Sequence, residues 1–140
     1  EPAHVVNETQ EKEEEPTYNW AGKKILVVED DELSFEYLKE LLKVTQAEIF
    51  YAKDGQTAID QCKNNPNIDL VLMDIQLPGI DGNTATKKIR EFNKTLPIIA
   101  QTAYALEEER TKILQSGCND YVSKPINEKD LYKKIHNLLA

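Results

Sequence analysis

From Lys24 onward two hydrophobic patterns take turns along the chain. Ile25-Leu26-Val27-Val28 is a short unbroken apolar run, β-branched and ended by acids, as a strand covered on both faces requires. After it Leu38, Leu41, Leu42 and Thr45 recur at i, i+3, i+4 and i+7, which places them on one side of a helix over roughly Glu32 to Val44. The alternation then repeats. Ile49-Phe50-Tyr51 reads as strand two, Asp54-Gly55 as a turn, and Ala58, Ile59 and Cys62 as the inward stripe of helix two. Leu70 to Met73 makes strand three; Pro78, Gly79 and Gly82 punctuate the loop before helix three, whose expected buried stripe is Ala85, Ile89 and Phe92. Pro97 to Ala100 is strand four. Helix four opens on the acidic turn Leu106-Glu107-Glu108-Glu109 and closes near Ser116-Gly117. Tyr121-Val122-Ser123 is strand five, and Leu131, Ile135 and Leu138 form the inner face of helix five.

Five strictly alternating strand and helix units predict an α/β fold with a parallel sheet and helices on both faces, because parallel neighbours need crossover connections. In such sheets ligands bind beyond the carboxyl ends of the strands. The residues there are Glu29-Asp30-Asp31 after strand one, Asp74 after strand three, Thr102 after strand four and Lys124 after strand five.

Composition changes this picture at the amino terminus. Residues 1–20 hold six acids and one lysine, which leaves 16 basic and 19 acidic groups in residues 21–140 out of an overall formal charge of -8. With the run Glu11-Lys12-Glu13-Glu14-Glu15 and Pro2 and Pro16, residues 1–20 read as an acidic flexible linker or tail, and residues 21–140 as the folded domain. Tyr18 and Trp20 interrupt that composition, either as packing onto the domain edge or as ordinary linker-end aromatics. The mildly acidic folded part gives no electrostatic drive toward DNA or anionic lipid. Cys62 and Cys118 are far apart with no CxxC pair, so neither a disulfide framework nor a zinc site is indicated, and they read as cytosolic thiols. No apolar run approaches the roughly 20 residues that span a bilayer, so no membrane contact by this segment is expected. Because numbering starts at Glu1 without methionine, an excised piece of a longer chain is expected.

If strands one and three are neighbours, their ends lie about 5 Å apart, so Glu29, Asp30 and Asp74 crowd several negative charges together. Such a cluster calls for raised pKa values or a bound cation, and all-oxygen ligands suit magnesium. Lys124 and the Thr102 hydroxyl add donors that, with a metal, suit the equatorial oxygens of a transferring phosphoryl group. Singly, each residue has a plainer reading. Acids after strand one favour a helix amino terminus, Asp31 is either a helix cap or a metal contact, Asp74 a solvated loop acid, Lys124 a surface charge, Thr102 a hydroxyl bonded to backbone and Tyr121 a half-buried sheet aromatic. Their joint placement at one sheet end favours the functional reading. His4 and His136 are assigned no role.

These residues, in the motifs Ile-Leu-Val-Val-Glu29-Asp30-Asp31, Leu-Met-Asp74-Ile-Gln-Leu-Pro78-Gly-Ile-Asp-Gly82, Thr102-Ala103 and Tyr121-Val-Ser-Lys124-Pro125, resemble the receiver domains of bacterial two-component response regulators over Lys23 to Ala140. The resemblance implies a flavodoxin-like, doubly wound (βα)5 fold with strand order 2-1-3-4-5. It implies Asp74 as phosphoacceptor, Asp30 as direct metal ligand, Glu29 as ligand through water, the Gln76 backbone carbonyl as a further ligand, and magnesium as cofactor. Thr102 and Lys124 would hold the phosphoryl oxygens, Thr102 and Tyr121 would switch the surface of helix four, strand five and helix five, and the Lys124-Pro125 bond would be cis. The implied partners are a histidine kinase or its phosphohistidine domain, a histidine phosphotransfer protein, or a second copy through the switching surface. The acidic linker favours the receiver of a hybrid histidine kinase, on the cytoplasmic side of the membrane, over a stand-alone regulator. A phosphorylation-independent module on the same fold is the alternative. A haloacid-dehalogenase-type enzyme is disfavoured because Gln76 stands where that class needs a second aspartate, and the five glycines build no nucleotide-binding loop.

Overall fold

The computed structural model describes residues 17–139; most of the expected linker, His4 included, lies outside them. The elements are β1 (Lys24–Val28), α1 (Glu32–Lys43), β2 (Glu48–Ala52), α2 (Gly55–Asn64), β3 (Leu70–Asp74), α3 (Gly82–Arg90), β4 (Ile98–Thr102), α4 (Glu107–Ser116), β5 (Asp120–Ser123) and α5 (Glu128–Leu139). All strand pairs are parallel, in the order β2-β1-β3-β4-β5. The expected doubly wound topology is present.

Side chains alternate across each strand, so the sheet has two cores. Leu26, Val28, Val71, Met73, Ile98 and Ala100 face α2, α3 and α4, where Ala58, Ile59, Cys62, Ala85, Ile89 and Ile113 cover them. Ile25, Val27, Leu70, Leu72, Ile99 and Val122 face α1 and α5, covered by Leu38, Leu42, Leu131 and Ile135. Central β3 is buried at every position.

The helix starts are set by one recurring device. Asp31, Asp54 and Asp81 stand at the N-caps of α1, α2 and α3, each accepting from the N–H three residues on, which satisfies a donor the helix cannot pair itself. The cap α4 receives, Leu106, has no side-chain bond, and α4 buries only Ile113 and Ser116. Gly117 ends α4 at φ 110, a left-handed conformation suited to glycine.

One part of the expected core is different. Phe92 lies beyond the end of α3 and is 39% exposed, with the Lys63 ammonium 5.6 Å from its ring centre. Because α3 stops at Arg90, the helical spacing that would carry residue 92 inward no longer applies, and Thr86 completes the stripe.

At the amino-terminal end of the sheet, Trp20 is buried; its backbone N–H donates to the Thr45 carbonyl at 2.7 Å, while its indole Nε1 has no hydrogen-bond partner. The Tyr18 ring lies 5.3 Å from Trp20, 5.7 Å from Tyr132 and 5.1 Å from His136, so residues 18–20 strap the end of α1 to α5.

Candidate functional site

The strand register decides what meets. Val28 pairs with Met73 and Asp74 with Gln101, so the residues that end β1, β3 and β4 stand side by side. One carboxylate oxygen each from Glu29, Asp30 and Asp74 lies within 4.8 Å of the others. Glu29 and Asp74 are each 1% exposed, while Asp30 is open to solvent. Lys124 reaches the cluster from the end of β5, its Nζ 3.0 Å from Asp74 Oδ2 and 3.8 Å from Glu29 Oε1. The Lys124-Pro125 peptide bond is cis.

Backbone donors fix the carboxylates. The Gln76 N–H donates to Asp74 Oδ1 at 3.0 Å, and the Asp31 N–H to Glu29 Oε2 at 3.3 Å. Asp31 itself is taken up by its helix: it accepts from the Ser34 N–H at 3.0 Å and the Ser34 hydroxyl at 2.7 Å, and these bonds hold its carboxyl below the ordinary aspartate value. The helix-cap reading of Asp31 is the one its contacts satisfy.

Charge is under-compensated here. Burial pushes Glu29 from 4.5 up to about 8, and its hydrogen bond and repulsion with Asp74 add to the shift; Lys124 and the Asp31 N–H oppose it. Glu29 Oε1 is buried with no hydrogen-bond donor. An acceptor without a donor, inside a cluster of three carboxylates, fits a hard divalent cation with oxygen ligands.

Two further residues face elsewhere. The Thr102 hydroxyl is buried and bonded within its own loop, accepting from the Tyr104 N–H at 3.0 Å and donating to the Tyr104 carbonyl at 3.2 Å. Tyr121 is half-buried against the core, and its hydroxyl accepts from Arg110 Nη1 at 3.4 Å. Lys134 of α5 donates to the Tyr121 carbonyl at 2.6 Å and sits 5.0 Å from its ring centre.

Sequence reasoning passed over two residues of this site. Gly82 reads as loop punctuation, yet a Cβ there would overlap the Asp74 carbonyl oxygen, so only glycine lets α3 begin this close to the acid. Gln101 is 1% exposed beside Asp74, with an amide nitrogen that has no hydrogen-bond partner; its place between the apolar run of β4 and Thr102 was the available signal.

With this geometry in hand, the model of the response regulator receiver domain matches residues 25–136. The chain belongs to the response regulator receiver domain family. The receiver is 43% identical over 125 residues to hybrid signal transduction histidine kinase I of Dictyostelium discoideum, a match covering 84% of this chain and 7% of that relative, so the chain spans a small part of its length. A solved receiver domain of a sensor histidine kinase from Pseudomonas aeruginosa, with magnesium in its active-site cleft, superposes with a TM-score of 0.79 at 34% identity, over 85% of this chain and 98% of that one. The Saccharomyces cerevisiae receiver domain solved with its histidine phosphotransfer protein gives 0.79 at 32% identity, over 89% and 91%. The chain is thus a receiver domain of the two-component phosphorelay type. Among the described residues no helix is long and apolar enough to cross a membrane.

Proposed function

We propose that Asp74 is the residue this receiver phosphorylates and that Glu29, Asp30, Asp74 and the Gln76 carbonyl hold a magnesium ion. The observation that carries the reading is convergence: three carboxylates and one ammonium from strands separated in sequence meet at one sheet end. When bound, magnesium neutralises carboxylate charge and polarises the phosphoryl oxygens. An Asp74 oxygen attacks the phosphorus of a partner's phosphohistidine in line. The new P–O bond forms as the P–N bond breaks, and the imidazole leaves with its electron pair. Lys124, already 3.0 Å from Asp74, follows the phosphoryl oxygens and offsets their charge.

Switching then has a stated local cost. Thr102 must exchange its two bonds with Tyr104 for one to the phosphoryl group, and Tyr121 must give up Arg110 to turn inward. Both groups act on the loosely anchored α4, so phosphorylation biases an element with few buried residues. The likeness to receivers of histidine kinases and the acidic composition of residues 1–16 support a place within a hybrid kinase, working on the cytoplasmic side of the membrane with a histidine phosphotransfer protein as its partner.

Labelling by radioactive phosphoramidate with magnesium present tests the acceptor. The wild-type chain is expected to take an acid-stable, hydroxylamine-labile label, and Asp74→Asn none; label retained by the folded variant would overturn the assignment.

A further inference from the structure

The ends of β1, β3 and β4 set three polar side chains in one row. Val28 pairs with Met73, so Glu29 follows beside Asp74, and Asp74 pairs with Gln101. Val27, Leu72 and Ile99, each two residues earlier, face the core under α1 and α5, so all three polar side chains belong to that side of the sheet. Glu29 and Gln101 both line a pocket of about 300 Å³ there, walled by Leu33, Tyr37, Pro125 and Ile126. We infer that Gln101 is a positioning residue for magnesium binding: its amide nitrogen donates to one water in this pocket, and that water donates to Glu29 Oε1. The inference rests on the proposed role of Glu29 in holding magnesium.

An account of donors and acceptors leads there. Among the described residues, three buried side-chain atoms have no hydrogen-bond partner: Trp20 Nε1 at the far end of the sheet, Glu29 Oε1 and Gln101 Nε2. The last two are complementary, an acceptor and a donor in the walls of one pocket. Leaving either dry and unpaired costs free energy that pairing recovers. The other groups nearby are committed. Asp74 accepts from the Gln76 N–H and holds Lys124 at 3.0 Å, while Lys124 stays 3.8 Å from Glu29 Oε1, beyond hydrogen-bond reach. The Ser34 and Tyr37 hydroxyls, which line the same pocket, donate to Asp31 and to the Ile126 carbonyl.

The span fits a single water. Two strand spacings, about 10 Å, separate Glu29 from Gln101 at the backbone. Asp74 between them is one methylene shorter, so the two longer arms can approach each other over it. A bridging water needs a polar partner on each side, and the two unpaired atoms supply them. Glu29 Oε2 already accepts from the Asp31 N–H. With Oε1 held through Gln101, both oxygens of the carboxylate are fixed, and further lone pairs remain for the ion or its water. Groups that hold a ligating carboxylate set metal affinity although they never touch the ion.

Gln101→Met tests this, because it keeps the length of the side chain and removes only the donor; Gln101→Leu is the second variant, and circular dichroism checks that each is folded. Magnesium chloride titrations, followed by nuclear magnetic resonance of the Asp31 and Gln76 backbone amides that bond the two carboxylates, give the affinity. It is expected to fall about 10-fold in each variant. In a Glu29→Gln background, adding Gln101→Met is expected to change affinity less than twofold, since the route through Glu29 is already broken. Affinity within twofold of wild type in both single variants would overturn the proposal. So would an undiminished loss in the Glu29→Gln background, the result a merely structural Gln101 would give. A wild-type chain that takes up no magnesium would instead strike the magnesium reading itself.

Discussion

The two ends of the sheet are built to opposite standards. At the amino-terminal end backbone groups are closed off: the Lys24 N–H donates to Asp69 Oδ2 at 2.8 Å, the Asp69 N–H to the Lys24 carbonyl at 2.8 Å, and the Glu48 N–H to the Lys23 carbonyl at 2.8 Å. Trp20, Tyr18 and Tyr132 then cover this end with rings. At the carboxyl end, five residues and roughly 15 Å away at strand rise, Glu29 Oε1 and the Gln101 amide nitrogen are buried without hydrogen-bond partners and three carboxylates share one corner. The difference teaches that stability and function are spatially divided in this domain. One end pairs its backbone groups and leaves the neutral indole N–H of Trp20 unpaired; the other leaves a carboxylate unpaired inside a cluster of acids.

If that division is real, substitutions at the two ends should move different observables. The largest effect on folding belongs to Trp20→Ala. Removing a buried indole costs about 3 kcal/mol, to be read from urea unfolding followed by circular dichroism, while magnesium affinity changes less than twofold. A comparable loss of magnesium affinity in this variant would break the comparison.

Glu29→Gln should act the other way round. Magnesium affinity is expected to fall at least about 10-fold, while the metal-free domain keeps or gains stability because folding no longer requires that side chain to take up a proton or bury its charge. The pH dependence sharpens this. Glu29 binds its proton more tightly folded, with a value near 8, than unfolded, near 4.5, so its contribution to metal-free stability is complete below pH 4.5 and is lost as pH rises toward 8. Magnesium binding needs the carboxylate, so affinity should rise through the same window. Both slopes should flatten in Glu29→Gln; titration calorimetry and unfolding at a series of pH values would show it, and an unchanged stability slope would mean that another group supplies it. The smallest effect is Tyr18→Ala, about 1 kcal/mol from partly exposed ring contacts, with no change in phosphoramidate labelling.

Much of this arrangement was legible in the residues. The acids and lysine at the strand ends and the inward stripes of α2 and α5 follow from periodicity, whereas the strand order followed from the family resemblance. What escaped depended on where an element stops or on who its distant neighbour is. Phe92 has the spacing of a helix face, but that helix ends two residues earlier. Trp20 sits in linker-like composition, and its burial requires Thr45 and Tyr132, which no local pattern links to it. The tightness at Gly82 comes from a carbonyl on another element. The pocket at Leu33 is lined from α1, from the turn after β5 and from Glu29 and Gln101 at the strand ends, residues far apart in sequence.

Trp20 is the only tryptophan in the chain, and it stands among tyrosines at the end of the molecule remote from the acids. Its ultraviolet emission is therefore a built-in gauge of whether the chain is folded, and one nearly blind to what occupies the opposite pole. A melting curve recorded by that light can be taken with and without ion or phosphoryl mimic, and any shift in its midpoint reads linkage to folding rather than a change in the fluorophore's own surroundings.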